Sequence, residues 1–198
     1  MQTVAPASEP IALDTAKNQC RVDSDITQDD ALITSLITVA RSYAEVYQKR
    51  ALITQQFKYS LDMFPFFRSW ALIGSPIKVP VGPVQSIDEI TFTAPDGTVS
   101  TLDSSLYLVD TYSVPARITP AYGQTWPTMS LYVPNAVQVN LTAGYGDSGS
   151  SVPAETIQAM LLLIAHWYIN REAVGDFGTP VPFAVKSLLD MNCWGDYF

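Results

Sequence analysis

AGYGDSGSSVPAETIQAMLLLIAHWYINREAV, residues 143–174, joins a glycine-rich loop to a long helix, and its reading decides the fold. Pro153 presets φ for a first helical turn, and Glu155 stands in that turn, where the helix dipole favours negative charge. From Ile157 through Met160, Leu161, Ile164, Trp167 and Tyr168 one face is apolar, while Ala159, Leu162, Leu163 and Ala165 cover much of the rest. A helix apolar nearly all round is buried on most sides. It is therefore either central to the fold or sealed by another subunit. The loop before it carries Gly-Asp-Ser-Gly, and the helix carries the only histidine, His166. A serine nucleophile needs a base within hydrogen-bond reach and usually a third group to orient that base. Ser148 lies in the loop and His166 between three and four turns along the helix, so at roughly 1.5 Å of rise per residue they stand about 20 Å apart unless the loop folds back. The reading that remains for Gly144, Gly146 and Gly149 with Asp147 and the serines is a turn.

Working back from that helix, the chain alternates in two-residue periods. In AVQVNLTAG, Val137, Val139 and Leu141 alternate with Gln138, Asn140 and Thr142, the period of a half-buried strand. LYLVD and ARITP give two more, and Pro95-Asp96-Gly97-Thr98 reads as a hairpin turn joining Glu89–Thr93 to Thr98–Leu102. In QQFKYSLDMF, Phe57, Tyr59, Leu61 and Met63 alternate with Lys58, Ser60 and Asp62. Residues 54–143 are thus expected to form an antiparallel β unit of short strands.

The N-terminal part is helical. A short helix is expected over Asp14–Arg21. A longer one follows, with Thr27 as N-cap and Asp29 and Asp30 in its first turn, running to about Arg50. Leu32, Leu36, Ala40, Tyr43 and Tyr47 follow helical spacing on an apolar face, and Arg41, Glu45 and Lys49 form a charged row on another. A last short helix is expected over Pro182–Asp190, followed by an aromatic tail. The fold class that results is α+β: helices from both chain ends packed together with an inserted antiparallel β unit, in a single domain over residues 1–198. Its helical parts are about 14–50 and 153–190, with a tail from 191 to 198.

The totals exclude several classes of function. The 198 residues carry a net charge of −8, with eleven basic residues spread along the chain and only Lys49 and Arg50 adjacent, so there is no electrostatic footprint for tight nucleic-acid binding. Cys20 and Cys193 stand near opposite ends and cannot build a metal site with one histidine; no metal, cofactor or catalytic residue is expected. MQTVAPASEP has no basic residue and no apolar core, unlike a signal peptide. The run Ala159–Ala165 falls far short of the roughly 20 residues of a membrane span. The expectation is a soluble protein made in a cytoplasm.

At this order of elements the sequence resembles the head-tail connector, or head-completion adaptor, proteins of long-tailed phages. The resemblance covers nearly the whole chain. It rests on EPIALDTAKNQCRVDSDITQDDALITSLITVARSYAEVYQKRALITQQFKYSLDMFP, IKVPVGPVQSIDEITFTAPDGT, RITPAYGQTWP, VQVNLTAGYG and VPAETIQAMLLLIAHWYINREAV. It implies a structural virion protein made in the host cytoplasm: a homo-oligomeric ring, commonly dodecameric, at the head-tail junction beneath the portal protein and above the tail or its stopper. DNA would pass through it without specific binding. No catalytic residue comes with the family. FFRSWALIGS, residues 66–75, departs from the pattern as an insert.

Three groups of residues are candidates within that reading. Asp23, Asp25, Asp29 and Asp30 would suit a channel wall along which phosphates slide, and equally a solvated loop with helix-start charges. Phe66, Phe67 and Trp70, with Phe64, Leu72 and Ile73, form an apolar loop that either meets a partner or folds back on its own core. Trp194, Tyr197 and Phe198 crowd three aromatics into the last five residues, a composition that favours docking, with the portal as the expected partner. A β-type module binding a ligand or glycan is the alternative function, and a serine hydrolase a distant third.

Overall fold

The computed structural model describes residues 1–65, 75–128, 131, 134–171 and 183–193. In chain order its elements are β1 (Gln2–Val4), α1 (Leu13–Cys20), α2 (Asp30–Gln48), β2 (Gln55–Leu61), β3 (Ile77–Lys78), β4 (Val84–Thr93), β5 (Val99–Thr101), β6 (Tyr107–Asp110), β7 (Arg117–Pro120), β8 (Val137–Ala143), α3 (Ala154–Ile169) and α4 (Phe183–Asp190). This is the expected α+β class, with helices from both chain ends and the strands of the antiparallel sheets lying mostly between them in the sequence. The described residues divide into a β unit, Met1–Ala5 with 54–144, and a helical unit, Pro6–Ile53 with 145–171 and 183–193.

In the β unit, a five-stranded antiparallel sheet has the order β1-β2-β8-β4-β5, and β3-β7-β6 form a second, three-stranded sheet. β8 is the axis of the larger sheet, pairing Tyr59↔Val139 on one side and Ile90↔Val139 on the other. Its alternation is resolved as the sequence predicts: Val137, Val139, Leu141 and Ala143 are buried, and Gln138, Asn140 and Thr142 are half-buried on the opposite face. The β4–β5 hairpin turns where expected. Gly97 takes φ +85°, which a side chain would resist, and Asp96 accepts the Thr98 N–H. Beyond the sheet, Phe64 stacks on Trp126 at 5.4 Å and meets the edge of Phe92 at 5.9 Å. Trp126 donates its indole N–H to Ser75 O at 2.9 Å, so a large buried ring keeps its polar atom satisfied. Two expectations change here. Met63 lies beyond β2 and is 51% exposed, because the strand ends at Leu61. β1 is an additional edge strand, placed by its backbone pairing with β2.

In the helical unit, α3 packs against α1, α2 and α4. Its fully covered side is the stripe Thr156, Ala159, Met160, Leu163 and Ile164, while Leu161 and Leu162 are half-buried and Ile169 is exposed. α3 is thus central without being sealed on every side. α2 differs from expectation in phase. Its buried residues are Ile33, Ile37, Ala40, Arg41, Ala44 and Gln48, a face turned by about one residue from the one the spacing indicates, and Leu32 is exposed. The adjacent pairs Leu32-Ile33 and Leu36-Ile37 offer two apolar faces, and packing selects the β-branched one. The charged row is corrected with it: Arg41 is buried, donating to Glu9 at 2.8 Å and to Glu45 at 2.9 Å, and Glu45 also accepts the Leu52 N–H. Thr27 is not the N-cap. Asp29 holds that position, and Thr27 O instead accepts the Asp30 N–H. The helix stops at Gln48 because Lys49 turns left-handed at φ 55° with its N–H still bonded to Glu45 O.

Candidate functional site

The loop containing Ser148 is built for contact. Gly149 sits so close to the N-terminal segment that a Cβ on it would lie 1.9 Å from Pro10 O, and Ser8 donates to Asp147 O at 2.9 Å. The second glycine of Gly-Asp-Ser-Gly is therefore required by space, not by chemistry. Ser148 Oγ shares a 2.7 Å hydrogen bond with Ser150 Oγ, and His166 Nδ1 faces Asn170 Nδ2 at 3.3 Å. None of the hydrogen bonds among the described residues joins Ser148 to His166. The nucleophile–base contact that acyl chemistry demands is not made.

The four candidate aspartates divide into two pairs. Asp30 is bound to Lys17, whose side chain is only 2% exposed and whose ammonium meets Asp30 Oδ1 at 2.8 Å, Ser24 O at 3.0 Å and Ile26 O at 2.6 Å. Asp29 accepts from the Tyr168 hydroxyl at 2.6 Å and from the Arg171 guanidinium at 2.9 Å, and these two donors hold its carboxyl below the usual carboxylate range. Asp23 and Asp25 are exposed. So Lys17 holds the loop between α1 and α2 at Ser24, Ile26 and Asp30, and Arg171 holds its end at Asp29, while Asp23 and Asp25 are exposed. Sequence reasoning missed Lys17. The signal available was a lone lysine followed by an acidic run, and two of its three partners are backbone carbonyls that no sequence pattern displays.

At the other end of α2, polar ties gather the start of the C-terminal tail. Gln48 is fully buried and donates to Thr156 Oγ1 at 3.1 Å and to Leu189 O at 2.9 Å. Tyr47 donates to Asp190 at 2.7 Å, and that bond to a carboxylate pushes the phenol up to about 12. Arg50 Nε donates to Asn192 O at 2.8 Å, and the Cys193 thiol to Tyr47 O at 3.4 Å. Trp194, Tyr197 and Phe198 then lie outside the described residues, as do Phe66, Phe67 and Trp70. Of the apolar loop, Phe64 is shown in the core of the β unit.

An open depression of about 440 Å³ lies on the five-stranded sheet, lined by Gln56, Lys58, Asp88, Glu89 and Asn140 among others. Both of its carboxylates accept hydrogen bonds: Asn140 donates to Glu89 at 2.7 Å and Thr142 to Asp88 at 3.0 Å. Among the described residues no cluster of histidine, cysteine, aspartate or glutamate is placed to hold a metal ion. No described helix is long and apolar enough to cross a membrane.

Comparison with known proteins places this geometry. No curated protein matches the chain. Among solved structures, a chain in the virion of a native gene transfer agent particle is 21% identical, with a TM-score of 0.78 over 100% of this chain and 96% of that one. Chains in two particle necks behave alike. That of the empty particle at C6 symmetry gives 21% identity and a TM-score of 0.74, and that of the native particle at C12 symmetry gives 22% and 0.73; each covers 100% of this chain and 97% of its counterpart. The fold is therefore shared along the full length. The model of the phage gp6-like head-tail connector proteins matches residues 10–115, and the chain belongs to that family as a structural head-tail connector protein.

Proposed function

We propose that the chain acts as one connector subunit over residues 1–198 in a homo-oligomeric ring, twelvefold in the particle, between the portal and the tail or its stopper. DNA passes through the ring without specific binding, and the subunit catalyses nothing. The observation that carries this reading is the match of fold along the whole chain to subunits of symmetric particle necks, joined to family membership. The net charge of −8 supports it, because an acidic wall lets phosphates slide where a basic one would hold them. Asp23 and Asp25 are the candidates for that wall. Imaging particles that carry a small tag on this chain tests the reading. Twelve tags ringed at the head-tail junction are expected, and tags on the capsid surface or tail tip would overturn it.

Within that ring, Trp194, Tyr197 and Phe198 dock the subunit onto the portal, and Phe66, Phe67 and Trp70 serve a second neighbour. Support comes from composition and from the anchorage of Asn192 and Cys193 on α2, which fixes where the tail begins. Deleting residues 194–198 is expected to leave the melting temperature nearly unchanged and to abolish co-sedimentation with portal-containing heads. Wild-type binding by the truncated chain would place the anchor elsewhere.

A further inference from the structure

The rotation of α2 away from its expected phase leaves an apolar outer face exposed among the described residues. Leu32, Val39 and Val46 are 36%, 48% and 80% exposed, and they recur every seven residues with Ser35 and Ser42 between them. Every exposed side chain on α2 is uncharged, although the chain carries 19 acidic and 11 basic residues. A seven-residue repeat of branched apolar side chains, with small residues at the intervening positions, is the pattern that seats another helix closely. We infer that this α2 face is the surface on which the next copy of the same chain docks in the ring, an inference that rests on the ring reading above.

The charge pattern selects that occupant. Two copies of a chain at −8 repel wherever their acidic surfaces approach, and a charge-free strip is where they can meet without opposing like charges or stripping water from an unpaired ion. A basic partner would instead be met by acidic residues. The strip is also modest. A helix of 19 residues spans about 28 Å, so a face roughly 10 Å wide buries about 300 Å² per subunit, well under the ~800 Å² of a stable isolated pair. Such a contact holds when each subunit is gripped on two sides and seated on a template, as in a closed ring. Because a cyclic ring joins unlike surfaces, the α2 face of one copy meets a different face of the next.

The test places a short photo-crosslinker on Ser42→Cys in the full-length chain and incorporates it into particles. The single variant Val39→Glu is assayed beside it. Irradiation is expected to yield a ladder of multiples of this chain, and V39E to enter particles at least tenfold less than wild type while melting within about two degrees of it. An amine-reactive crosslinker on wild-type particles separates the two layers of the argument. If it gives the ladder but position 42 gives none, or V39E incorporates normally, the ring stands and the α2 assignment falls. Position 42 joined only to a different protein also overturns the assignment. No ladder with either reagent overturns the ring and the α2 face together.

Discussion

The two units keep their interiors by different means. Of the five buried polar or charged side chains among the described residues, Lys17, Arg41, Gln48 and Thr156 belong to the helical unit and only Gln55 to the β unit. In a sheet, the inter-strand ladder fixes how each strand sits on the next, so side chains need only alternate, as β8 does. A helix spends its backbone bonds on itself. Nothing but side chains then sets how helices and the loops between them are placed, and an apolar face alone leaves more than one rotation open. Lys17 of α1 gripping the α1–α2 loop, Arg41 between Glu9 and Glu45, and Gln48 between Thr156 and Leu189 O each close off such a choice.

The strongest challenge to this contrast comes from cavities, which should cost both units alike. Trp126→Ala in the β unit is expected to lose about 3–5 kcal/mol and Ile164→Ala in the helical unit about 2–5 kcal/mol, read from denaturant midpoints. Leu161→Ala, at a half-buried site, should lose less than Ile164→Ala. Equal losses would mean that more of α3 is covered than the subunit itself provides.

Polar substitutions should separate the units. Lys17→Met leaves Asp30 and two carbonyls without their cation and is expected to cost about 2 kcal/mol, below the ~3–5 of a fully buried pair because Asp30 is partly exposed. Asn140→Val, which breaks an exposed bond to Glu89 on the sheet face, should stay within about 1 kcal/mol. A reversed order would remove the distinction drawn here.

Gly149 gives a comparison inside one motif. Adding a methyl group against Pro10 O is expected to cost about 1–3 kcal/mol in Gly149→Ala. Ser148→Ala should stay within about 0.5 kcal/mol and leave particle assembly intact. Labelling of Ser148 by a serine-directed covalent probe in the folded protein would contradict this account of the loop.

The smallest effects are in pH dependence, and they fall on opposite limbs. The Tyr47 phenol is raised in the folded state from 10.0 to about 12, so its contribution is fully present below pH ~10 and lost as pH rises from ~10 to ~12. Tyr47→Phe should flatten that alkaline limb. In the β unit, the Ser113 hydroxyl, the Arg117 guanidinium and nearby backbone N–H groups hold Asp110 well below its ordinary 3.8. Its contribution is present above that value and lost as pH falls beneath it, and Asp110→Asn should flatten the acid limb. Midpoints measured across pH in both variants decide the matter.

Much of this architecture is legible in the sequence, and the gaps have physical reasons. β8, the β4–β5 hairpin and α3 are readable because strict alternation, Asp96-Gly97 and Pro153 are local signals. The phase of α2 is not, since adjacent apolar residues fit two rotations and only packing decides between them. β1 escapes because its exposed residues carry no alternation and its place is set by pairing with Phe57 and Gln56. Gly149 reads as conformational freedom, whereas its need is room beside Pro10, a neighbour distant in the chain. Within the candidate sites, sequence finds charge and aromatic clusters but not their partners: Asp29 and Asp30 look like Asp23 and Asp25 until Arg171 and Lys17 are placed beside them.

Joining of heads to tails tests the central claim most directly. In particles that carry this chain, its removal should leave DNA-filled heads and free tails unjoined, and adding the purified protein back should restore joined particles. Joined, infectious particles forming at normal yield without it would contradict the account.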